Sequence, residues 1–590
     1  MYSMFYRLCL QLAVVCWGGI SLQSCATEPI EENKIERVID LAIRRIYDSD
    51  QVGDFEQINQ QGVMSYFTAD ELEVLANDYW VFDVSTDVEV FICRDIRQRE
   101  LPFWLPQRKF QKTSDTVNND NVTYEVWSKT FEKGRVRLGI NGFDRHRYVY
   151  FVIVKGLDDE KDIELTPIWP IAQEVNPVER GSVIYHDWDE LTLTQMPDSF
   201  KGGYILPTNR GRSREAHLID AFRRTDFPAA NIPDQFIRTW TDDPRTTLNI
   251  SWRTSMDVSK SMMKYWEKGS QDTIMAEGKE TIISDVLLSN NPDVKRYHVK
   301  LEKLKPGSTY EFTVVSDDIE IESQMFTTDS GDGIFEFGWF GDIHNDEQWG
   351  KNLPRWKAMY PNAKFYLQVG DLVNTGQYRD QWDRLLAAAR PIMKDKPFMA
   401  VPGNHDSQEG LFPNMYLKQL SYPHNGPNNL PKGLSYNFVY GNTFFLMLDI
   451  VTFSVKDQEA WVENLLKNSK ERFKVAVFHF APHTEEADYN EISEGLGRLF
   501  DRYEVDLVLT GHFHYYYRTA VDNDTLKHPV YVMSVGTKEK DDEMEVKKGC
   551  FGVHKGYLYQ HVKVDNSSLY LTSIDSLGTK IDEFRITKTN

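Results

Sequence analysis

Five short blocks in the chain carry side chains that ligate metal. They are Gly341-Asp342-Ile343-His344, Gly370-Asp371, Gly403-Asn404-His405-Asp406, His479, and Gly511-His512-Phe513-His514. Carboxylate, imidazole and amide oxygen suit Mn, Fe or Zn, and no thiolate stands among them. The blocks offer more ligands than one ion uses. Two ions sharing a bridging carboxylate is the economical reading. Such a pair can hold a bridging hydroxide at neutral pH and clamp both oxygens of an in-line displacement at phosphorus.

The elements that must position these residues are legible upstream of each block. Phe335 to Phe340, Phe365 to Val369, Pro397 to Val401, Lys474 to Phe478 and Asp506 to Thr510 are short apolar or β-branched runs. Runs of this kind read as buried strands. Ligands of open α/β sheets gather beyond the carboxyl ends of strands, so five strand ends would deliver the blocks to one rim. Singly the blocks say little. Gly403-Asn404-His405-Asp406 alone could be a turn, and a histidine after an apolar strand is often a core residue. Five of them in order on strand ends are specific.

That order resembles the calcineurin-like metallophosphoesterases, a family that includes the purple acid phosphatases. The resemblance covers about the last three-fifths of the chain. It implies a four-layer α/β/β/α metallophosphoesterase sandwich in the α/β class, with N-terminal all-β sandwich domains before it. It implies that Asp342, His344 and His514 hold one ion and that Asn404, His479 and His512 hold the other, with Asp371 bridging. His405, not itself a ligand, would contact the phosphate with Asn404 and assist the leaving group. The last block, followed by Tyr516 and Arg518, is similar to the purple acid phosphatase version. One departure stands out. Purple acid phosphatases carry a tyrosine three residues after the bridging Asp and lack the first-block histidine. Here that position is Asn374, and His344 is present. Without tyrosinate the expectation is a colourless divalent pair of Mn, Zn or Fe(II).

The bulk properties allow this reading. A chain of 590 residues has room for several domains, and 41% hydrophobic content supplies their cores. The net charge of −22 argues against a nucleic-acid partner. It does not oppose a small phosphate ester, because bound metal inverts the local field. There is no C-x-x-C pair among the five cysteines, so a thiolate zinc site is not expected. Cys93 and Cys550 read as two separate thiols.

Residues 1–25 look like a leader. Arg7 precedes the apolar stretch Leu8 to Leu22, too short for a comfortable span. Leu22-Gln23-Ser24-Cys25 resembles the bacterial lipobox, in which Cys25 becomes the lipid-bearing first residue. The rival is ordinary cleavage after Ala26. The lipoprotein reading implies export across the inner membrane of a bacterium and anchoring at the cell envelope, at the outer membrane or surface.

Residues 26–75 read as a tether and a short helical segment, with Ile35, Val38, Ile39, Ala42 and Ile46 on one face. Residues 76–200 look β-rich, as in the alternation of Val88, Val90 and Ile92. Residues 201–234 read as a linker whose arginines, among them Arg212 and Arg223, pair with acidic neighbours. Residues 235–328 resemble the fibronectin type III-like domain that precedes the catalytic domain in purple acid phosphatases. Trp252 would lie between its sheets, and Tyr310 after Pro306-Gly307 looks like a tyrosine corner. Residues 332–590 form the metallophosphoesterase domain, with a long Pro/Asn/Gly-rich loop at 411–433.

The function expected is hydrolysis of phosphate esters, monoesters first, by a metal-bridging hydroxide. A phosphodiesterase or nucleotidase would use the same site. A surface ligand-binding lipoprotein with a vestigial metal site is the rival from another class.

Overall fold

The computed structural model describes residues 34–49, 58–119, 121–158, 162–170, 173–186, 191–407, 412–483, 489–521, 529–539 and 546–588. The leader and Cys25 lie outside this set. The chain divides into two compact units, residues 1–222 and 223–590. Among the described residues no helix is long and apolar enough to cross a membrane.

In the first unit the helix Lys34–Asp48 buries Ile35, Val38, Ile39, Ala42, Ile43 and Ile46, the face that its periodicity predicts. A six-stranded sheet and two three-stranded sheets follow. Strand Val88–Asp95 buries Val88, Val90 and Ile92 on one face. It also buries Phe91 and Cys93 in the core on the other. The stretch read as a linker departs from expectation. Tyr204–Leu206 pairs with Phe151–Gly156, and Arg212 is buried with its guanidinium 3.8 Å over the Tyr79 ring. Gly202-Gly203 and Pro207 read as breakers, yet the three apolar residues between them find a strand to pair with.

The second unit begins with a β-sandwich. One sheet holds Asp234–Thr239, Leu248–Thr254, Asp293–Leu301 and Lys279–Ser284. The other is built around Ser261–Glu267 and Thr309–Ser316. Trp252 is fully buried between them, and its indole N–H donates to Ser261 Oγ of the opposite sheet at 2.8 Å. The Tyr310 hydroxyl accepts from the Lys305 N–H at 2.9 Å, closing the corner.

The catalytic domain places two mixed sheets face to face. In chain order its strands are β1 (Phe335–Phe340), β2 (Ala363–Gln368), β3 (Phe398–Ala400), β4 (Tyr436–Tyr440), β5 (Thr443–Met447), β6 (Phe473–Phe480) and β7 (Leu507–Gly511). They continue as β8 (Tyr516–Arg518), β9 (Val530–Met533), β10 (Phe551–Val553), β11 (Tyr559–Val564), β12 (Ser568–Ile574) and β13 (Lys580–Thr587). The first sheet has the order β3-β2-β1-β11-β12-β13 and the second β4-β5-β6-β7-β9-β8-β10. The strands that precede the five blocks (β1, β2, β3, β6 and β7) pair in parallel with their neighbours from the set: β1 with β2, β2 with β3, β6 with β7. Their carboxyl ends therefore share one edge in each sheet.

The strands are buried on both faces because each sheet is covered twice. Phe337, Phe365 and Phe445 interlock between the sheets, with Phe337 and Phe365 stacked at 5.1 Å. Phe444, Leu446 and Phe478 point the other way and meet Val462, Leu496, Leu499 and Phe500 from the outer helices. On the first sheet, Phe340 and Tyr366 meet Trp349 and Trp356 of helix α1 (Glu347–Met359), and helix α2 (Arg379–Met393) packs against α1. This is the α/β/β/α sandwich.

A buried ion network fastens the β-sandwich to α2. Fully buried Asp383 accepts from Arg253 Nη1 (2.8 Å) and Gln235 Nε2 (2.9 Å) of the sandwich. It also accepts from Arg379 Nη1 and Thr225 Oγ1, each at 2.9 Å. Arg223 pairs with Asp285 and Asp380, so this arginine meets acidic neighbours as the sequence suggests. Removing one member of such a network leaves buried charge without its counter-ion. Asp383→Ala is expected to destabilise the second unit by about 3–5 kcal/mol, read as a lower denaturant midpoint with an unchanged fold at low denaturant.

Candidate active site

The first, second and last blocks turn sharply at their strand ends with residues in left-handed backbone, whereas the third opens the short helix Asn404–Ser407 and His479 stays within strand β6. The left-handed residues there are His344 (φ 50°), Asn345 (φ 50°), Asp371 (φ 55°), His512 (φ 86°) and His514 (φ 59°). Non-glycine residues held there cost about 1–3 kcal/mol each, and such residues cluster at functional sites. The turns must therefore be held by their surroundings.

Hydrogen bonds between blocks do the holding. Asp342 Oδ1 accepts from the His512 N–H at 2.7 Å, tying the first block to the last. Asp371 Oδ1 accepts from the His405 N–H at 2.9 Å, tying the second to the third. Buried Asp406 accepts from the N–H groups of Leu372 (3.0 Å), Val373 (3.2 Å) and Gly403 (2.9 Å). Asn374, at the position where purple acid phosphatases carry tyrosine, donates from Nδ2 to the His344 carbonyl at 3.1 Å. Two glycines are needed for close approach. A Cβ on Gly403 would overlap the Asp371 carboxylate, and one on Gly511 would overlap that of Asp342.

The result is a convergence of all seven expected ligands. Asp342, His344, Asp371 and His514 form one group that could hold a metal ion, and Asp371, His479 and His512 form a second. Ligand atoms within each group lie within 4.8 Å of one another. Asp371 belongs to both. Asn404 joins the second group, with Oδ1 2.9 Å from His479 Nε2. His344 Nε2 and His514 Nε2 lie 2.9 Å apart. The His479 Nδ1 position is fixed by the Val369 carbonyl at 3.0 Å, which leaves Nε2 facing the cluster. Second partners of this kind orient metal-ligating histidines. The donors are oxygens and imidazole nitrogens throughout, a set that suits Mn, Fe or Zn.

The electrostatics agree with a site that receives cations. Burial works against charge on Asp371, but His479 first, and then His405, hold its carboxyl well below the usual range. Burial also opposes charge on His479, yet Asp371 lifts its imidazole to about 9. Burial holds His344 neutral, well below the ordinary histidine value. Burial, then the charge of Asp371, raises Asp406 to about 7 despite its three N–H donors.

His405 is half-buried, and its Nδ1 lies 2.9 Å from the Asn374 carbonyl. With His344 and His514 it lines a cavity of ≈600 Å³ beside the first group. Tyr489, which sequence reasoning does not single out, places its hydroxyl 3.2 Å from His512 Nε2. His483 meets the Tyr531 ring edge-to-face with centroids 4.3 Å apart, and His424 is exposed. Neither is part of the two groups. Cys93 and Cys550 are free thiols.

A two-sheet sandwich with paired His/Asp/Asn groups on one rim defines a dinuclear-metal hydrolase of phosphate esters. The comparisons with known proteins agree. Residues 335–516 match the calcineurin-like phosphoesterase family and residues 233–329 the purple acid phosphatase N-terminal domain. A probable purple acid phosphatase 20 of Arabidopsis thaliana is 26% identical over 416 residues, 63% of this chain and 94% of that protein. A phosphoenolpyruvate phosphatase of Allium cepa is 25% identical over 340 residues, 51% of this chain and 68% of that protein. The fold is shared with a purple acid phosphatase from yellow lupin (Lupinus luteus) seeds at TM-score 0.53 and 13% identity, over 86% of this chain and 93% of that one. The chain thus carries a calcineurin-like phosphoesterase domain preceded by a purple acid phosphatase N-terminal domain, and its relatives are purple acid phosphatases.

A cation entering the second group must displace the Nε2 proton of His479. Because this imidazole is raised to about 9, it is protonated at neutral pH in the metal-free protein. Metal affinity is therefore expected to rise with pH up to about 9, with protons released on binding. Calorimetric titration with Mn or Zn in buffers of different ionisation enthalpy measures this. An affinity flat between pH 6 and 8 would remove His479 from the ligand set.

Proposed function

We propose that this protein is a phosphomonoesterase anchored at a bacterial cell envelope. The observation that carries the enzymatic reading is the membership of Asp371 in both metal groups. Asp342, His344 and His514 would hold one ion and Asn404, His479 and His512 the other, with Asp371 between. When bound, such a pair supplies positive charge to the phosphoryl oxygens and a nucleophilic water at neutral pH. Several relatives are named phosphatases, one of them a phosphoenolpyruvate phosphatase, which supports a monoester as substrate.

The chain's own residues supply orientation and proton transfer. Asn404 and His405 stand side by side on the short helix Asn404–Ser407 and would contact the phosphoryl group together. His405 is steadied through Nδ1 by the Asn374 carbonyl, so Nε2 is the atom that serves the departing oxygen. The Asp406 clasp keeps this helix in register with Asp371.

His405→Ala is expected to keep two metals per chain and to lose at least roughly 100-fold in kcat, the usual scale for acid-base assistance. Asp371→Asn should lose metal as well as turnover. Metal analysis beside kinetics on a phosphomonoester and its diester checks both variants. Full turnover in His405→Ala would remove it from catalysis, and a faster diester would reassign the substrate.

Anchoring rests on Leu22-Gln23-Ser24-Cys25 and the apolar stretch before it. Cys25→Ala is expected to release the protein from the membrane fraction and abolish labelling by a fatty-acid analogue. Retention with label intact would overturn the lipoprotein reading.

A further inference from the structure

The cavity beside the first metal group holds two cationic side chains that the hydrolysis itself does not require. Arg384 comes from α2 and Lys538 from the loop after β9, and both line the space reached by His344, His405 and His514. Arg384 is weakly committed. Its Nε lies 3.7 Å from Glu347 Oε1 and its Nη2 3.9 Å from Asp226 Oδ2, both beyond hydrogen-bond range. Both carboxylates are more than half exposed, so these pairs are worth little. The Arg384 Nε atom is nonetheless buried with no hydrogen-bond partner among the described residues. A buried donor left in this state calls for an explanation, and a missing ligand is one.

Of the acidic residues lining the cavity, Asp346 is already engaged. It accepts from the Gln348 N–H at 2.7 Å, from Thr537 Oγ1 at 3.1 Å and from the Tyr557 hydroxyl at 2.9 Å. The remaining acid, Glu347, is the loose partner of Arg384. Two acids and two cations therefore line the cavity, and of these Arg384 is held only by long, exposed ion pairs. The cavity is also lined by His405, the residue proposed above to serve the departing oxygen, and ≈600 Å³ is more than a phosphoryl group fills.

We infer that Arg384 and Lys538 form a subsite for a second anionic group on the leaving-group portion of the substrate. This rests on the phosphatase reading above and narrows it to esters that carry a carboxylate or a further phosphoryl group. Arg384 would supply the planar fork that matches either anion, and Lys538 a point charge. Both would act on binding and specificity.

The test uses the metal-loaded full chain and two substrate pairs. The first is 4-carboxyphenyl phosphate against its methyl ester. The second is 1,4-phenylene bisphosphate against phenyl phosphate. The readout is the ratio of kcat/KM within each pair, so general losses of activity cancel. The wild-type protein should favour the charged member of at least one pair by roughly 10-fold or more, mainly through KM. Which pair responds tells carboxylate from phosphoryl. Arg384→Gln should cut that ratio by roughly 10-fold, Arg384→Lys by less, and Lys538→Gln by a few-fold. Lys538 is exposed, so its variant folds even if that of Arg384 does not. A ratio near one in the wild type, or unchanged ratios in both Gln variants, overturns the subsite alone. A metal-loaded protein inert towards all four esters overturns the phosphatase reading and the subsite with it.

Discussion

A single buried carboxylate organises the catalytic domain. Asp371 is 1% exposed, lies in left-handed backbone and belongs to both groups of metal-ligating side chains. A carboxylate in this position is costly unless positive charge surrounds it. In the metal-free protein, imidazolium at His479 offsets that cost. Two cations would do so more completely. The Val369 carbonyl fixes the candidate ligand His479, and backbone N–H groups engage one oxygen each of Asp342 and Asp371.

The rest of the fold supplies the rigidity that this arrangement demands. Left-handed turns at four candidate ligands would relax if the strand ends could move. They cannot, because the sheets bearing them are packed on both faces and lock against each other through Phe337, Phe365 and Phe445. The Asp406 clasp transfers that rigidity across the gap between the second and third blocks. The Asp383 network extends it to the β-sandwich, whose Arg253 and Gln235 reach α2, the helix that also carries Arg384. The sandwich has no side chain in either metal group. It acts on the cavity through the placement of α2.

Much of this was legible in sequence because ligand type, order and preceding strand all leave local marks. The five apolar runs became parallel strands, and the seven candidate ligands lie together. Trp252 and Tyr310 took the core positions that alternation and a Pro-Gly turn imply. What was not legible depends on contacts distant in the chain. Tyr489 reaches His512 across 23 residues and a loop, with no motif to mark it. Asp406 could be seen as part of a block, but its three N–H donors come from turn geometry. Tyr204–Leu206 looked like linker because Gly and Pro flank it. The Pro/Asn/Gly-rich stretch 411–433 contains a helix, Asn414–Gln419, stabilised by burial of Tyr416 and a hydrogen bond from its hydroxyl to the Ala400 carbonyl. Composition tracks local preference, and tertiary burial overrode it in both places.

The departure at Asn374 has a structural consequence beyond the loss of a phenol. Its amide donates to the carbonyl of His344 and, at 3.2 Å, to Asn345 Oδ1. Both acceptors lie in the left-handed turn that brings His344 into the first group. The small amide thus helps hold in place the very histidine that purple acid phosphatases lack, and a tyrosine side chain has no amide with which to do this. The two differences from the purple pattern are physically one exchange: a phenolate ligand is given up and an imidazole is gained, with Asn374 as the prop. A first group made of two carboxylates and two imidazoles carries one negative charge fewer than the same group with tyrosinate in place of a neutral histidine. That lower charge favours a divalent over a trivalent ion at this position.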